Sequence, residues 1–401
     1  MKYTNPIALT LTLTVYGLCA MRVAPAFAQQ EINITEYLDA TGFPKPIPVN
    51  ISGFTGEADT VLKNDLLFMG MANVGPDQAK YLITGSNADR VEGRVIEKIN
   101  KHSLLAKAYT GGKLRAQVHA LADDIAQVIT GKPGIAQTKV AFKVETGRPA
   151  STGGRVSEVY IADYDGHNPI AVTQDNSTVA APCWAGRDAL YYGSYKGRGI
   201  QVYFHRLTTG ERRAVTRFPG SNMSPAVSPD GRKLAMILSK SGSPDLYVSD
   251  LDGSNLKQLT ATREAESSPC WSPDSRSICY VSRDRGPASL YVVAAAGGTP
   301  RRLATSGVPN ATEPDWSPDG KWIIFTAMFR DFQLCLVPAT GGTAMTIVAG
   351  EDPSWAPNSR AVIFCRGPDH AKSLSLLDVP TKQVKTIARF SESNSQPSWA
   401  K

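Results

Sequence analysis

The sequence predicts a small α+β unit followed by an all-β propeller of six blades whose ring is closed by the C-terminal strand. Three observations carry this prediction. A Pro-x-Trp unit recurs from residue 182 to the end of the chain, four of its six places are followed by a tight-turn signal and short apolar runs, and the residues ahead of the repeat show a helical stripe instead.

The repeat stands at Pro182-Cys183-Trp184, Pro269-Cys270-Trp271, Pro314-Asp315-Trp316, Pro353-Ser354-Trp355 and Pro397-Ser398-Trp399, with Pro225-Ala226-Val227 in the remaining place. Successive third positions lie 43, 44, 45, 39 and 44 residues apart. Four copies run on into Ser228-Pro229-Asp230-Gly231, Ser272-Pro273-Asp274-Ser275, Ser317-Pro318-Asp319-Gly320 and Ala356-Pro357-Asn358-Ser359. Pro presets φ, Asp bonds the neighbouring backbone and Gly accepts positive φ, so each is a tight turn. Within one repeat, strand-length runs follow at 234–238 and 245–250, then the turn Asp252-Gly253-Ser254 and a short strand at 257–260. Four short antiparallel strands per repeat make one propeller blade.

The blade count closes the ring. The last unit, around Trp399, has no strands after it, and the strands expected at 139–143, 158–162 and 170–173 have no first strand before them. Each completes the other, which leaves no open sheet edge.

Residues 29–135 read as the α+β unit, and 136–401 as the propeller. A helix over 113–130 places Leu114, Val118, Leu121, Ile125, Val128 and Ile129 on one stripe and stops at Gly131 and Pro133. A weaker helix is expected over 58–69 with Leu62, Leu66 and Met69 inward, and strands at 48–51, 81–85, 91–99 and 104–109. This gives helices on one face of a mixed sheet.

The N-terminus carries Lys2, an apolar run from Ile7 to Ala20 and Ala26-Phe27-Ala28, the form of a cleaved export leader over 1–28. The apolar run is shorter than the roughly 20 residues a bilayer span needs, so no membrane span is expected. The formal charge of +7 falls to +5 without the leader, because residues 1–28 hold Lys2 and Arg22 and no acid. That basic balance suits an acidic protein partner or anionic surface, and export excludes nucleic acid. Cys183, Cys270, Cys279, Cys335 and Cys365 remain, in apolar strand contexts and odd in number, and read as buried free thiols.

Propeller geometry sorts the loops. Blade-to-blade connections share a rim with the loops between second and third strands, and the Pro-Asp-Gly turns lie on the other rim. Residue 139 enters at a second strand, so the front unit joins on the Pro-Asp-Gly side and leaves the far rim open. At its channel mouth the expected partner-binding residues are Ser177, Thr178, Ser221, Asn222, Glu266, Ser267, Asn310, Thr312, Glu313, Asp352, Ser395 and Gln396, with Glu351 beside them. Around them stand Arg148, Arg155, Lys196, Arg198, Lys240, Arg283, Arg285, Arg330, Arg366, His370 and Lys372. Binding energy concentrates in few residues, which favours the mouth over the outer rim.

His119 lies four residues from Arg115 and from Asp123, so the three share a helix face and are expected to form a structural cluster between the two units. Asp163-x-Asp165-Gly and Asp250-x-Asp252-Gly resemble the start of a calcium loop, but Gln174 and Ala261 occupy the twelfth positions, so both are read as turns. No metal, cofactor or catalytic residue is expected. A propeller related to the prolyl oligopeptidases would need a Gly-x-Ser-x-Gly elbow and a hydrolase unit, for which the 401 residues leave no room.

Gly42-Phe43-Pro44-Lys45-Pro46-Ile47-Pro48-Val49 with Phe54, Arg115-x-x-x-His119-x-x-x-Asp123, Thr130-Gly131-Lys132-Pro133-Gly134 with Thr138-Lys139, and the run from Asn310 to Gly320 together resemble the TolB family. Departures are a short stretch between Met69 and Lys80, Ala136 in place of an aromatic, and Ser221-Asn222 where a His is expected. The resemblance implies a monomeric, non-catalytic periplasmic component of the Tol–Pal envelope system. It would bind a Pal-like peptidoglycan-associated lipoprotein at the propeller and a TolA-like inner-membrane protein through Gln29, Gln30, Glu31, Ile32, Asn33 and Ile34, in support of outer-membrane integrity and division. The Ile32-Asn33-Ile34 stretch has the character of a strand that can add to a partner's sheet edge. A stand-alone exported propeller that binds another envelope protein or a glycan is the alternative.

Overall fold

The computed structural model describes residues 42–149, 155–197, 199–284, 286–387 and 393–401. The leader, the segment from Gln29 to Ile34, Arg198, Arg285 and the side chain of Arg148 lie outside the described residues.

In the front unit, strands β1 (Ile47–Ser52), β2 (Met71–Asn73), β3 (Tyr81–Ser86), β4 (Val91–Glu97) and β5 (Ser103–Tyr109) form one mixed sheet in the order β2-β1-β3-β4-β5. The pairs of β1 are parallel, and β3, β4 and β5 are antiparallel. Helices α1 (Gly56–Phe68) and α2 (Leu114–Thr130) pack on the face that carries Val49, Ile51, Ile83, Val91 and Val95. A Cβ on Gly93 would stand 2.4 Å from Leu121, so the missing side chain lets α2 lie close on β4. Two expectations need correction. The strand expected over 91–99 ends at Glu97, because 98–100 turn into β5, and this leaves Ile99 exposed. The three-residue β2 was not foreseen, since a pattern of period two cannot be read in so short a run.

Six four-stranded sheets follow in a ring. Blades 2 to 6 span 179–214, 222–258, 266–302, 311–349 and 351–386, each read outward from the Pro-x-Trp strand. Blade 1 takes Lys139–Pro149, Arg155–Asp163 and Ile170–Ala171 from the start of the propeller and Asn394–Trp399 from its end. In that pairing Trp399 stands opposite Val140 and Ser395 opposite Lys143.

The repeat unit stitches blades together. The indole N–H of Trp184 donates to the Ser398 carbonyl at 2.9 Å, Trp271 to Ala226 at 2.8 Å and Trp355 to Asp315 at 3.2 Å. Each acceptor is the middle residue of the preceding blade's Pro-x-Trp unit, so one side chain fills the gap between sheets and satisfies its own donor there. The turns interlock as well. Gly231 and Gly320 hold the positive φ their turns require, and blades 4 and 6 place Ser275 and Ser359 in that conformation at φ 60° and 56°. The two hydroxyls accept from the backbone N–H of Asp230 and Asp319 in the preceding blades, at 3.1 and 2.9 Å. The strain of a non-glycine residue there is offset by a bond that Gly could not make.

The front unit sits on the Pro-Asp-Gly rim, as the entry at residue 139 predicts. Asn358 Nδ2 donates to the Phe68 carbonyl at 2.9 Å, Arg360 Nη1 donates to the Pro44 carbonyl at 2.9 Å, and Phe43 stacks on Trp322. Cys183, Cys270, Cys279, Cys335 and Cys365 are free, and all but Cys183 are buried. The two Asp-x-Asp-Gly stretches are turns, closed by Gly166 N–H to Asp163 and Gly253 N–H to Asp250.

Removal of residues 394–401 leaves blade 1 with an open inner edge and is expected to abolish the single cooperative unfolding transition. Trp399→Ala, which vacates a site 2% exposed between Tyr164 and Thr138, is expected to cost about 3–5 kcal/mol in denaturant melts.

Candidate functional site: the open rim and channel mouth

The first strand of every blade carries a bulge, where its pairing register slips just before the Pro of the Pro-x-Trp unit. The residue ahead of that Pro takes a left-handed backbone in all six blades: Ala181, Ser224, Ser268, Glu313, Asp352 and Gln396, with φ between 48° and 53°. None is Gly, and each such residue costs on the order of 1–2 kcal/mol. A strained position repeated in every blade at the channel is the kind of feature functional sites retain.

Three of these residues link blade to blade. Glu313 Oε2 accepts the Asp352 N–H at 3.0 Å, Asp352 Oδ2 accepts the Gln396 N–H at 3.0 Å, and Gln396 Oε1 accepts the Ala181 N–H at 2.9 Å. The chain of bonds then stops, because Ala181 offers no polar side chain to carry it further. The channel is thus acidic and linked along blades 5, 6 and 1, and short-chained along blades 2 to 4.

Above the linked half lies a cavity of about 210 Å³ bordered by Lys143, Glu145, Glu313, Glu351, Asp352, His370, Lys372, Ser395 and Gln396. Burial, reinforced by neighbouring acids, pushes the Glu313 and Asp352 carboxyls up. Glu351 is raised by burial even though the Lys372 ammonium stands 2.7 Å away. Glu145 goes the other way: against burial, Lys143 at 2.9 Å and His370 at 3.5 Å hold it below the usual range. The mouth therefore offers both signs of charge and several hydroxyl and amide groups. Among the described residues no group of three or more His, Cys, Asp or Glu side chains is placed to hold a metal ion.

The expected mouth residues divide. Glu313, Asp352, Ser395 and Gln396 meet at the cavity, and Thr312 precedes Glu313 at the bulge. Asn310 is an exposed, left-handed residue in the connection into blade 5. Ser267 lies on the strand just before Ser268. Ser177, Thr178 and Ser221 lie earlier, in the connections, where their backbone or hydroxyl groups bond Ser157, Arg155 and Ser239. Asn222 and Glu266 are enclosed, at 1% and 2% exposure, and brace their own loops instead of facing the mouth. The residues the sequence reading missed are Ala181, Ser224 and Ser268. Their signal was present as a position directly ahead of the Pro that is never β-branched, since a branched side chain is disfavoured at positive φ.

On the rim outside the mouth, Arg155, Lys196, Arg217, Lys240, Arg263, Arg283, Arg330 and Arg366 are exposed, against the exposed acids Glu264, Asp284, Asp331 and Asp369. The open rim is thus basic around a polar mouth.

The profile of the TolB beta propeller domain matches residues 126–401. The chain belongs to the TolB β-propeller family. It is 32% identical over 254 residues to the Tol-Pal system protein TolB of Francisella tularensis subsp. mediasiatica, a match that covers 61% of this chain and 58% of that protein. The chain thus spans about 58% of the length of the curated relatives it matches. TolB from Acinetobacter baumannii superposes with a TM-score of 0.77 over 89% of this chain and 97% of that one, at 21% identity. A chain of the nidogen/laminin complex superposes with a TM-score of 0.54 over 66% of this chain and 98% of its own length, at 11% identity. That likeness shows the propeller fold alone. No helix among the described residues is long and apolar enough to cross a membrane.

The buried Glu266 supplies a pH test. Its carboxyl is pushed up to about 7, first by burial, against the hydroxyls of Thr262 and Ser282 and with Asp245 and Asp284 adding to the rise. Between the ordinary carboxyl range and pH 7 the folded chain holds a proton that the unfolded chain has released, so stability falls as pH rises across that window. Glu266→Gln keeps the acceptor and removes the titration. Urea melts at pH 5 and pH 8 are expected to show the variant about 2 kcal/mol less pH-dependent than the parent.

Proposed function

We propose that this chain is a non-catalytic periplasmic component of a Tol–Pal system that docks a Pal-like lipoprotein on its open rim and engages a TolA-like inner-membrane protein through Gln29 to Ile34. The observation that carries the reading is the family match over 126–401 together with a front unit whose described residues sit on the Pro-Asp-Gly rim, opposite the mouth. A division near 135/136 assigns the two roles to two parts of the chain: the propeller holds the lipoprotein at Glu313, Asp352, Ser395 and Gln396, and the front of the chain faces the inner membrane. In that role the protein supports outer-membrane integrity and constriction during division. A strained polar mouth with a basic surround suits macromolecular docking, where fixed backbone geometry positions the contacts before the partner arrives.

The test is a titration of the chain from residue 29 with the soluble domains of the Pal-like and TolA-like proteins of the same organism. Both are expected to bind. A chain that starts at residue 35 is expected to lose the TolA-like partner and to keep the Pal-like one within twofold. Retention of neither partner by the longer chain would overturn the assignment.

A further inference from the structure

The loop between second and third strands is polar or rich in Gly and Pro in blades 2, 3, 4 and 6, with sequences such as Lys240-Ser241-Gly242-Ser243-Pro244 and Arg366-Gly367-Pro368-Asp369. Blade 5 departs from this. Its hairpin runs Met328-Phe329-Arg330-Asp331-Phe332, and Met328 (38%), Phe329 (42%) and Phe332 (37%) are three of the five exposed large apolar residues among the described ones. Met328 and Phe332 face each other at the end of the strand ladder, and Phe329 sits in the turn. Burial of an aromatic side chain stabilises substantially, so an exposed cluster at one loop tip marks a contact surface.

The tip is fixed, and it is fixed to the mouth. Met328 N–H donates to the Asn310 carbonyl at 3.3 Å, and Gly350 N–H donates to the Phe332 carbonyl at 3.0 Å. Asn310 leads into the bulge at Glu313, and Gly350 leads directly into Glu351 and Asp352. The apolar tip therefore continues the linked, acidic half of the mouth and is absent from the short-chained half.

We infer that the Met328–Phe332 hairpin is the apolar anchor of the docking face, and that its occupant is the folded domain of the partner lipoprotein, which presents an apolar side chain to the hairpin and carboxylates to the basic arc of the rim on blades 1 to 3. This rests on the reading above that the open rim docks that partner. The carboxylates follow from charge: on the loops of blades 4 to 6 three exposed arginines, Arg330 among them, are matched by three aspartates, whereas on blades 1 to 3 and their connections Arg155, Lys196, Arg217, Lys240 and Arg263 outnumber the exposed acid Glu264. A protein is favoured over a bilayer because Asp331 at the tip and Asp284 and Asp369 on the adjacent loops would be carried into the lipid interface with it. Aromatic anchors rimmed by polar groups carry much of the energy of protein interfaces.

The experiment compares the parent chain, Phe329→Ser, the triple variant Met328→Ser/Phe329→Ser/Phe332→Ser, Arg330→Glu, and Ile170→Ser as an exposed apolar control. Each is titrated with the soluble Pal-like domain and incubated with vesicles of phosphatidylethanolamine and phosphatidylglycerol. The triple variant is expected to bind at least tenfold more weakly at unchanged melting temperature, Phe329→Ser at least threefold, and Arg330→Glu more weakly in low salt only. Ile170→Ser is expected to match the parent. Should the triple variant lose its fold, Phe329→Ser decides alone. Parent and hairpin variants that bind the domain within twofold of one another sink the anchor and leave the docking face standing. A parent that does not bind the domain sinks both. Hairpin-dependent sedimentation with the vesicles assigns the tip to a lipid surface and overturns the inference.

Discussion

Everything in the propeller hangs on the pairing of the last strand with the first. Trp399 sits opposite Val140, stacks on Tyr164 and donates its indole N–H to Thr138, so residues at opposite ends of the repeat region share one packing site. Lys401 reaches further and pairs with Asp315 of blade 5 at 2.8 Å. A ring of sheets has no partial form in which every edge is paired, so this contact is what closes the circle that the six repeats build. Two of the three links at the bulges depend on it in turn, since Gln396, which accepts from Ala181 and donates to Asp352, lies on the closing strand itself.

The same corner of the molecule joins the two units. Tyr164, under Trp399, donates its hydroxyl to Asp65 of α1, and Asp65 also meets His119 Nδ1 of α2 at 2.7 Å. Arg115 bonds Asp165 of blade 1 through Nε at 2.9 Å and Glu57 of α1 through Nη1 at 2.6 Å. Against the cost of burial, Asp65 and Asp165 raise the pKa of His119 and favour its charged form. Asp123, the third residue on that helix face, accepts the backbone N–H groups of Ala136 and Gln137 and so ties down the passage into the propeller. The cluster is a buried charge network whose members come from α1, α2 and blade 1, and a buried pair of this kind is costly to break because each partner would be left uncompensated. Any shift of the front unit relative to the ring has to pass through it.

Much of this was legible in the chain itself. The spacing of Pro-x-Trp units and their turns gave the blade count and the closure, because a repeated unit must bury the same face at each step. The helix over 114–130 and its stop at Gly131 were readable from a period of 3.6 and a glycine free to turn, and the face that unites Arg115, His119 and Asp123 came from the same period. The short β2 was not readable, because it is decided by pairing with β1 from beyond α1, and the end of β4 was not readable because the turn at 98–100 carries no Gly or Pro to announce it.

The channel mouth was legible in part. Glu313, Asp352, Ser395 and Gln396 could be assigned to it from loop topology, but Ala181, Ser224 and Ser268, which stand at the same bulge in blades 2 to 4, were passed over. Sequence order locates a loop on a rim; it does not say which residue in that loop turns toward the axis. That is set by the bulge, where an extra residue shifts the register and a left-handed backbone aims its N–H at the next blade. The sequence by itself determined the architecture, because periodic burial and turn chemistry are local rules repeated along the chain. Which side chains converge at the mouth was decided only when the ring closed, because the bonds from Glu313 to Asp352, from Asp352 to Gln396 and from Gln396 to Ala181 join residues that only the circle brings together.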